Sequence, residues 1–332
     1  MDSPRKRRTS PTIADVAELA GVSRAIASRA LSRESRPVSA DKRARVLQAA
    51  EKLGFKPNLL ARSLTTKTVN LIAVIVNHIH DFSDLDLFDL LIGEIQSIGK
   101  QVIIVRVGTV ERAEEFLRNG VAYHVDAALV FSDFADAETV RRMFRNDDVL
   151  MLNGMHDEVS PSIVPDETIG IAEAVADAAS KGVATAALVT GRLSSPVEQN
   201  RIAAFKAEMQ RHGIELVAEF RGDYSYASGR HMAQSPDWPD VDAVFCSSDA
   251  MAMGVMDVHR DAFPQNQPRR FRLYGFDNLS LTDFEAYPIS SIGYDKKVYV
   301  GEILRFLNSP GGFANDKSLV NVPTFFVPRA TS

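Results

Sequence analysis

The sequence predicts a small all-α module at the N-terminus followed by an α/β body of two lobes, each a doubly wound parallel sheet. Three observations carry this. Charge is segregated: residues 1–68 hold 15 of the 38 Lys and Arg but 6 of the 43 Asp and Glu, so a segment of net +9 precedes a remainder of net −14. Capping residues and helical periodicity punctuate the first 55 positions. From residue 70 onward, short apolar runs alternate with amphipathic stretches of helical length, the pattern of parallel strands with helices on both faces. With 332 residues, 45% of them hydrophobic, the chain has material for two or three domains.

The elements follow in order. Residues 1–11 are basic and contain Pro and Ser, and are expected to form a disordered arm. Thr12 and Asp15 have capping-box spacing and open a helix over about 13–20, which Gly21 closes. Ser23 can cap a second helix over about 24–32. Ser39 can cap a third, about 40–53, closed by Gly54. Pro57 interrupts, and residues 58–64 could form one or two further turns. In the second helix, Ile26, Ala27, Ala30 and Leu31 share one face, while Arg24, Ala25, Ser28 and Arg29 share the other. A small apolar back and a polar, cationic front suit a helix laid in the major groove of DNA.

In the body, the apolar runs are residues 70–76, 101–107, 126–131 and 149–153, then 185–190, 216–220, 243–246, 272–276 and 289–293. The stretch 85–98, apolar at 87, 88, 91, 92, 95 and 98, exemplifies the helices between them. Two such series exceed one sheet, so two lobes are expected.

Several classes are disfavoured. No apolar run reaches the roughly 18 residues of a membrane span, and no apolar stretch follows the basic start to make a secretory signal. The single cysteine, Cys246, can form neither an intrachain disulfide nor a zinc site alone, which fits a reducing cytoplasm. No phosphate-cradling glycine loop, HExxH or GxSxG occurs, and the seven histidines are scattered. His78, His80 and Asp81 have a spacing that could invite a metal, but a polar strand-end loop explains them more simply. No metal, cofactor or catalytic residue is therefore expected.

A family resemblance covers nearly the whole chain. It is densest over Thr12-Ile13-Ala14-Asp15-Val16-Ala17, Ala20-Gly21-Val22-Ser23, Ser28-Arg29-Ala30-Leu31, Val38-Ser39, Arg45-Val46, Ala49-Ala50, Leu53-Gly54-Phe55, Pro57-Asn58, Ala61 and Leu64. This stretch resembles the headpiece of the lactose-repressor (LacI/GalR) family of bacterial regulators. The resemblance implies a helix-turn-helix domain (12–56), a hinge helix (57–68) and a periplasmic-binding-protein-like core (69–332). Its lobes are expected at about 69–168 with 291–308, and at about 169–290 with 309–332. It further implies a homodimer on a pseudo-palindromic operator, with Thr12, Ser23, Arg24, Ala25, Ser28, Arg29, Asn58, Ala61 and Leu64 at the DNA. Leu64 matches the hinge leucine that wedges into the minor groove, a move that costs a few kcal/mol of unstacking. Ala25 cannot hydrogen-bond a base, so reading there reduces to a thymine methyl or is lost.

In the core, open α/β sheets bind ligands beyond the carboxyl ends of their strands. By resemblance, Phe82 and Tyr224 are the aromatics beside a small effector, Arg201 holds its oxygens, Asp277 accepts its hydrogen bonds, and Asp166 is a weaker candidate at the crossing between lobes. Departures are Ser248 in place of the usual asparagine, Ala204 in place of glycine, Val183 in place of histidine, and an acid-crowded segment at 81–86. A sugar effector is thus one possibility among polar ligands. The expectation is a repressor controlled by a small effector. The alternatives are a ligand-binding or carbohydrate-modifying protein with an incidental basic N-terminus, or a nonspecific nucleoid-type DNA binder.

Overall fold

The computed structural model describes residues 11–31, 38–55, 69–77, 82–109, 111–113, 115, 124–154, 156–260 and 270–332, and at 82–84 and 196 the backbone only. The hinge positions Asn58, Ala61 and Leu64, the segment 78–81 and the Phe82 side chain therefore lie outside the described residues, as does nearly all of the N-terminal arm. The chain divides into two compact units, 1–69 and 70–332.

The first unit holds helices α1 (Ile13–Leu19), α2 (Arg24–Leu31) and α3 (Ala40–Leu53). Thr12 and Asp15 form the reciprocal capping box: the Asp15 N–H donates to Thr12 Oγ1, and the Thr12 N–H donates to the Asp15 carboxylate at 2.6 Å. At the other end of α1, Gly21 takes φ +61°, and the Val22 N–H reaches back to the Ala17 carbonyl at 3.0 Å. Gly54 ends α3 in the same way, at φ +64°. Ser39 sits at the N-cap of α3, but its side chain makes no capping hydrogen bond. The core is Val16, Ala17, Ala20, Ala27, Ala30, Val46, Ala49 and Ala50, so small side chains let the three helices cross closely. Arg43 ties α3 to α2 by donating to the Ala30 carbonyl.

The second unit contains two parallel sheets of the same winding. The first half runs β1 (Leu71–Val76), α4 (Phe82–Ser97), β2 (Gln101–Arg106), β3 (Ala127–Val130), α5 (Ala137–Phe144), β4 (Val149–Met151) and β5 (Ser162–Asp166). The second runs α6 (Glu167–Ser180), β6 (Thr185–Thr190), α7 (Pro196–His212), β7 (Glu215–Arg221), α8 (Tyr226–Ala233), β8 (Ala243–Cys246), α9 (Asp249–Val258), β9 (Arg272–Phe276) and β10 (Ser290–Tyr294). Helix α10 (Lys296–Leu307) and strand β11 (Leu319–Val327) complete the unit. Strand order is β2-β1-β3-β4-β5 in one half and β7-β6-β8-β9-β10 in the other, with β11 between them. Each half reverses direction at its first strand, and ligands bind at such switch points. Both sheets are covered on both faces, so β1, β3, β6 and β8 are almost wholly buried and read as continuous apolar runs.

Strand β11 is shared. Its first five residues pair parallel with β5, and residues 324–327 pair antiparallel with β10. Helix α10 packs through Tyr299, Val300, Ile303 and Phe306 into the core of the first half. The lobe boundary drawn from the sequence at 290/291 falls inside β10, which pairs with β9 of the second half. Likewise residues 319–323, assigned from the sequence to the second lobe, pair with the first. Strands β5 and β11 escaped the sequence reading: β5 has only Ile163 and Val164 as apolar residues ahead of Pro165, and in β11 Asn321 and Pro323 interrupt the apolar positions. These prolines sit in the β5–β11 ladder, paired with Val322 and Asp166.

Candidate functional sites

In the headpiece, the two faces of α2 separate as the periodicity requires. Ala27 and Ala30 are buried, Ile26 and Leu31 are half-buried, and Ser23, Arg24, Ala25, Ser28 and Arg29 are all exposed. The Ile26 N–H donates to Ser23 Oγ at 3.3 Å, so Ser23 also caps the helix it precedes. The result is a short helix with two guanidinium groups, two hydroxyls and one methyl on its outer side, held by an alanine-lined back.

The second site is built at the carboxyl ends of the strands of the second half. Arg201, in α7, is buried. Its Nε and one terminal nitrogen donate to the two oxygens of Glu167 at 2.9 and 2.5 Å, and its other terminal nitrogen donates to the Ser247 carbonyl at 2.7 Å. The guanidinium lies 3.7 Å over the Phe276 ring and 3.6 Å from Glu198. Burial opposes the charge, but the Glu167 and Glu198 carboxylates more than offset it, so the guanidinium is held firmly protonated. Glu198 is wholly buried and accepts from the Gly191 N–H (2.7 Å), the Ser247 hydroxyl (2.6 Å) and the Tyr224 hydroxyl (3.0 Å). Tyr224 adopts φ +73° and packs its ring against Gly191, where a Cβ would stand 2.0 Å from a ring carbon. Burial and the Glu198 carboxylate push its phenol up, and it stays neutral.

Asp277 follows β9 at φ +100°; its N–H donates to the Ile292 carbonyl, and its own carbonyl accepts from Lys296 Nζ at 3.2 Å. Its carboxyl feels the charges of Arg201, Asp249, Lys296 and Glu167, and burial holds it well above the usual carboxylate range. Asp249, the first residue of α9, is wholly buried. One oxygen accepts from the Leu279 N–H at 2.8 Å, and the other has no hydrogen-bond partner among the described residues. Burial pushes this carboxyl up to about 7, against the Ser291 hydroxyl, the Leu279 N–H and the charges of Arg329 and Lys296.

The structure thus brings Arg201, Tyr224 and Asp277 into one neighbourhood. Asp166 caps α6, accepting from the Thr168 N–H at 3.1 Å and its hydroxyl at 2.6 Å. The neighbouring Glu167 is the residue that reaches Arg201. Glu167, Glu198, Asp249 and Lys296 were missed from the sequence. They come from four different helices, and no local spacing links them.

At the carboxyl ends of the first half, Asn77 accepts from the Ser132 hydroxyl (2.8 Å) and donates to Asp133 (2.9 Å), and Asn153 donates to the Ser132 carbonyl. The two halves meet here. The Ser280 N–H and hydroxyl both donate to Asp86 of α4, at 2.9 and 3.0 Å, and a Cβ on Gly154 would stand 2.0 Å from Val197. Among the described residues, no three metal-ligating side chains converge. Cys246 is buried in β8, and burial pushes its thiol up, which fits a core residue rather than a nucleophile.

Residues 12–58 match the family described as bacterial regulatory proteins, lacI family, and residues 175–332 match a periplasmic binding protein-like domain. The HTH-type transcriptional regulator AscG of Escherichia coli (strain K12) is 28% identical, over 92% of this chain and 95% of its own length. Catabolite control protein A of Priestia megaterium is 27% identical, over 85% and 86%. Among solved structures, the lac repressor bound to ONPG in the repressed state superimposes with a TM-score of 0.81 at 22% identity, over 98% of this chain and 100% of the other. That likeness establishes a shared fold. With the two matches in this order, and relatives aligned along almost the whole chain, the protein belongs to the lacI family of bacterial regulatory proteins.

Proposed function

We propose that the protein is a sequence-specific transcriptional repressor that binds a pseudo-palindromic operator as a homodimer, in the bacterial cytoplasm, under the control of a small polar effector. The reading is of a regulator and not an enzyme, in keeping with relatives named as transcriptional regulators and repressors. One observation carries it: the outer face of α2 presents Arg24, Ala25, Ser28 and Arg29 to solvent, on a headpiece joined to a binding-protein-like body. Base edges in the major groove are read by such side chains, arginine above all, while the remaining cations contact phosphate.

The effector would sit where Arg201, Tyr224 and Asp277 gather at the strand ends, with Asn77, Ser132 and Asp133 across from them. Structures of this fold have been solved with a small ligand: a lac repressor dimer bound to operator and the anti-inducer ONPF, and a regulator CelR bound to cellobiose. Closing the halves on an effector would alter the two hinges of the dimer. Effector and operator affinities are then coupled reciprocally. Asn58, Ala61 and Leu64 would belong to the hinge, with Leu64 as the wedge.

Gel-shift titration against genomic fragments tests the reading. Specific binding should fall steeply between two salt concentrations. Arg24→Ala should cost about 1–3 kcal/mol at one operator position if Arg24 reads a guanine, and less, evenly across sequences, if it touches phosphate. Equal affinity for scrambled and genomic DNA, with and without candidate metabolites, would overturn it.

A further inference from the structure

The segment that follows β9 is held from both halves. On the side of the second half, the Leu279 N–H donates to Asp249, the Asn278 N–H donates to the Ser291 hydroxyl, and Arg329 donates to Asn278 Oδ1 and to Asp283. Two groups of opposite charge reach the same segment from the first half. Lys296, which opens α10, donates to the carbonyls of Asp277 and Asn278 at 3.2 and 3.3 Å. Asp86, in α4, accepts from the Ser280 N–H and the Ser280 hydroxyl, one on each carboxylate oxygen, at 2.9 and 3.0 Å.

Both groups are firmly mounted. Asp86 directly precedes Leu87 and Phe88, and Lys296 stands one turn before Tyr299 and Val300; these four side chains are buried in a single core. The backbone they grip is shaped to meet them. Asp277 and Asn278 take φ +100° and +46°, a conformation that residues other than glycine keep only where their surroundings fix it. Successive carbonyls of an extended strand point to opposite sides, whereas here both meet one ammonium. The 3₁₀ turn that follows, Ser280–Asp283, receives no side-chain cap from Leu279, and Asp86 supplies one from the opposite half. A single exposed contact of this kind would be worth little. Two charged groups of opposite sign, each taking two hydrogen bonds on residues 277–280, are worth more, because hydrogen bonds to ionised groups are the stronger ones.

We propose that Asp86 and Lys296 form a two-pronged clamp by which the first half holds residues 277–280 of the second, and that this clamp sets how readily the halves part. It goes beyond the effector reading and does not depend on it. Asp277 heads the clamped segment, so an effector bound there would act on a backbone that α4 and α10 already hold.

The test measures the distance between the halves in the full chain, without sugar or DNA. Nitroxide labels on Glu138→Cys in α5 and Arg230→Cys in α8, both exposed positions, are read by pulsed electron paramagnetic resonance; Cys246 is buried and shielded from the label. Labelled chain is diluted with unlabelled chain, so that only distances within one chain count. Asp86→Ala and Lys296→Met should each add a population at longer distance, and the double variant should raise it to about a tenth of the molecules or more, the upper range of a minor conformer. Asp283→Ala loosens the same segment from within the second half and should leave the distribution of the unaltered chain. The proposal is overturned by an unchanged distribution in the double variant or, should that variant lose its native circular dichroism, in Asp86→Ala alone. It is equally overturned if Asp283→Ala produces the same longer population, since local loosening would then suffice. Operator binding by the unaltered chain reports separately on the regulator reading, so either can fail alone.

Discussion

Replacing Asp249 by Asn should change how stability depends on pH, and the size of the change follows from the burial of that carboxyl. Asp249 opens α9, where a helix N-terminus favours negative charge. Even so, burial raises it to about 7, against the Ser291 hydroxyl, the Leu279 N–H and the charges of Arg329 and Lys296. In the unfolded chain the same group ionises near pH 4. Below that pH both states are protonated and the contribution to stability is complete. Between pH 4 and pH 7 the unfolded chain releases its proton while the native one keeps it, so stability falls, and above pH 7 the loss levels off at about 4 kcal/mol. Asparagine keeps the acceptor for the Leu279 N–H and has no proton to lose. Relative to the unaltered chain, Asp249→Asn should therefore gain about 2–3 kcal/mol between pH 5 and pH 8. Urea unfolding at those two pH values checks this. It can be followed by Trp238, the only tryptophan, which stacks between Phe220 and His259 in the second half and reports that half directly. Parallel pH profiles for the two proteins would refute the reasoning.

Three further substitutions probe other joints. Gly254→Ala would place a Cβ 2.3 Å from the Tyr226 carbonyl, at a crossing of α8 and α9 where backbone meets backbone, and should cost about 2–3 kcal/mol in urea unfolding. Glu198→Ala strands a buried Gly191 N–H and the Ser247 and Tyr224 hydroxyls; it should cost about 3 kcal/mol or more and shift the absorbance of Tyr224. Thr12→Ala removes the side chain that caps α1 and should cost the headpiece about 1 kcal/mol, read as a lower melting midpoint of the isolated transition of residues 1–69.

The headpiece could be read nearly residue by residue. Its caps, its glycine stops and the two faces of α2 all depend on neighbours within four positions, and Thr12 with Asp15, Gly21 and Ala27 with Ala30 do what their spacing implied. The apolar strands could be read for a related reason: burial on both faces leaves a run no polar residue interrupts. Strands β5 and β11 could not, because β5 is short and β11 is interrupted by Asn321, Pro165 and Pro323 argue locally against a strand, and it is their pairing with each other that settles both.

The candidate effector site divides along the same line. Arg201, Tyr224 and Asp277 could be named from resemblance and from their place after strands. The carboxylate of Asp166 turns back to cap its own helix, while the neighbouring Glu167 projects to a guanidinium 34 positions away. Short-range spacing and the charge contrast between its two parts already identify the kind of protein this is. Which carboxylates crowd around Arg201 and Asp277 emerges only on folding. Ionisable side chains from distant elements interact once packing removes the water between them, and no local pattern records that packing.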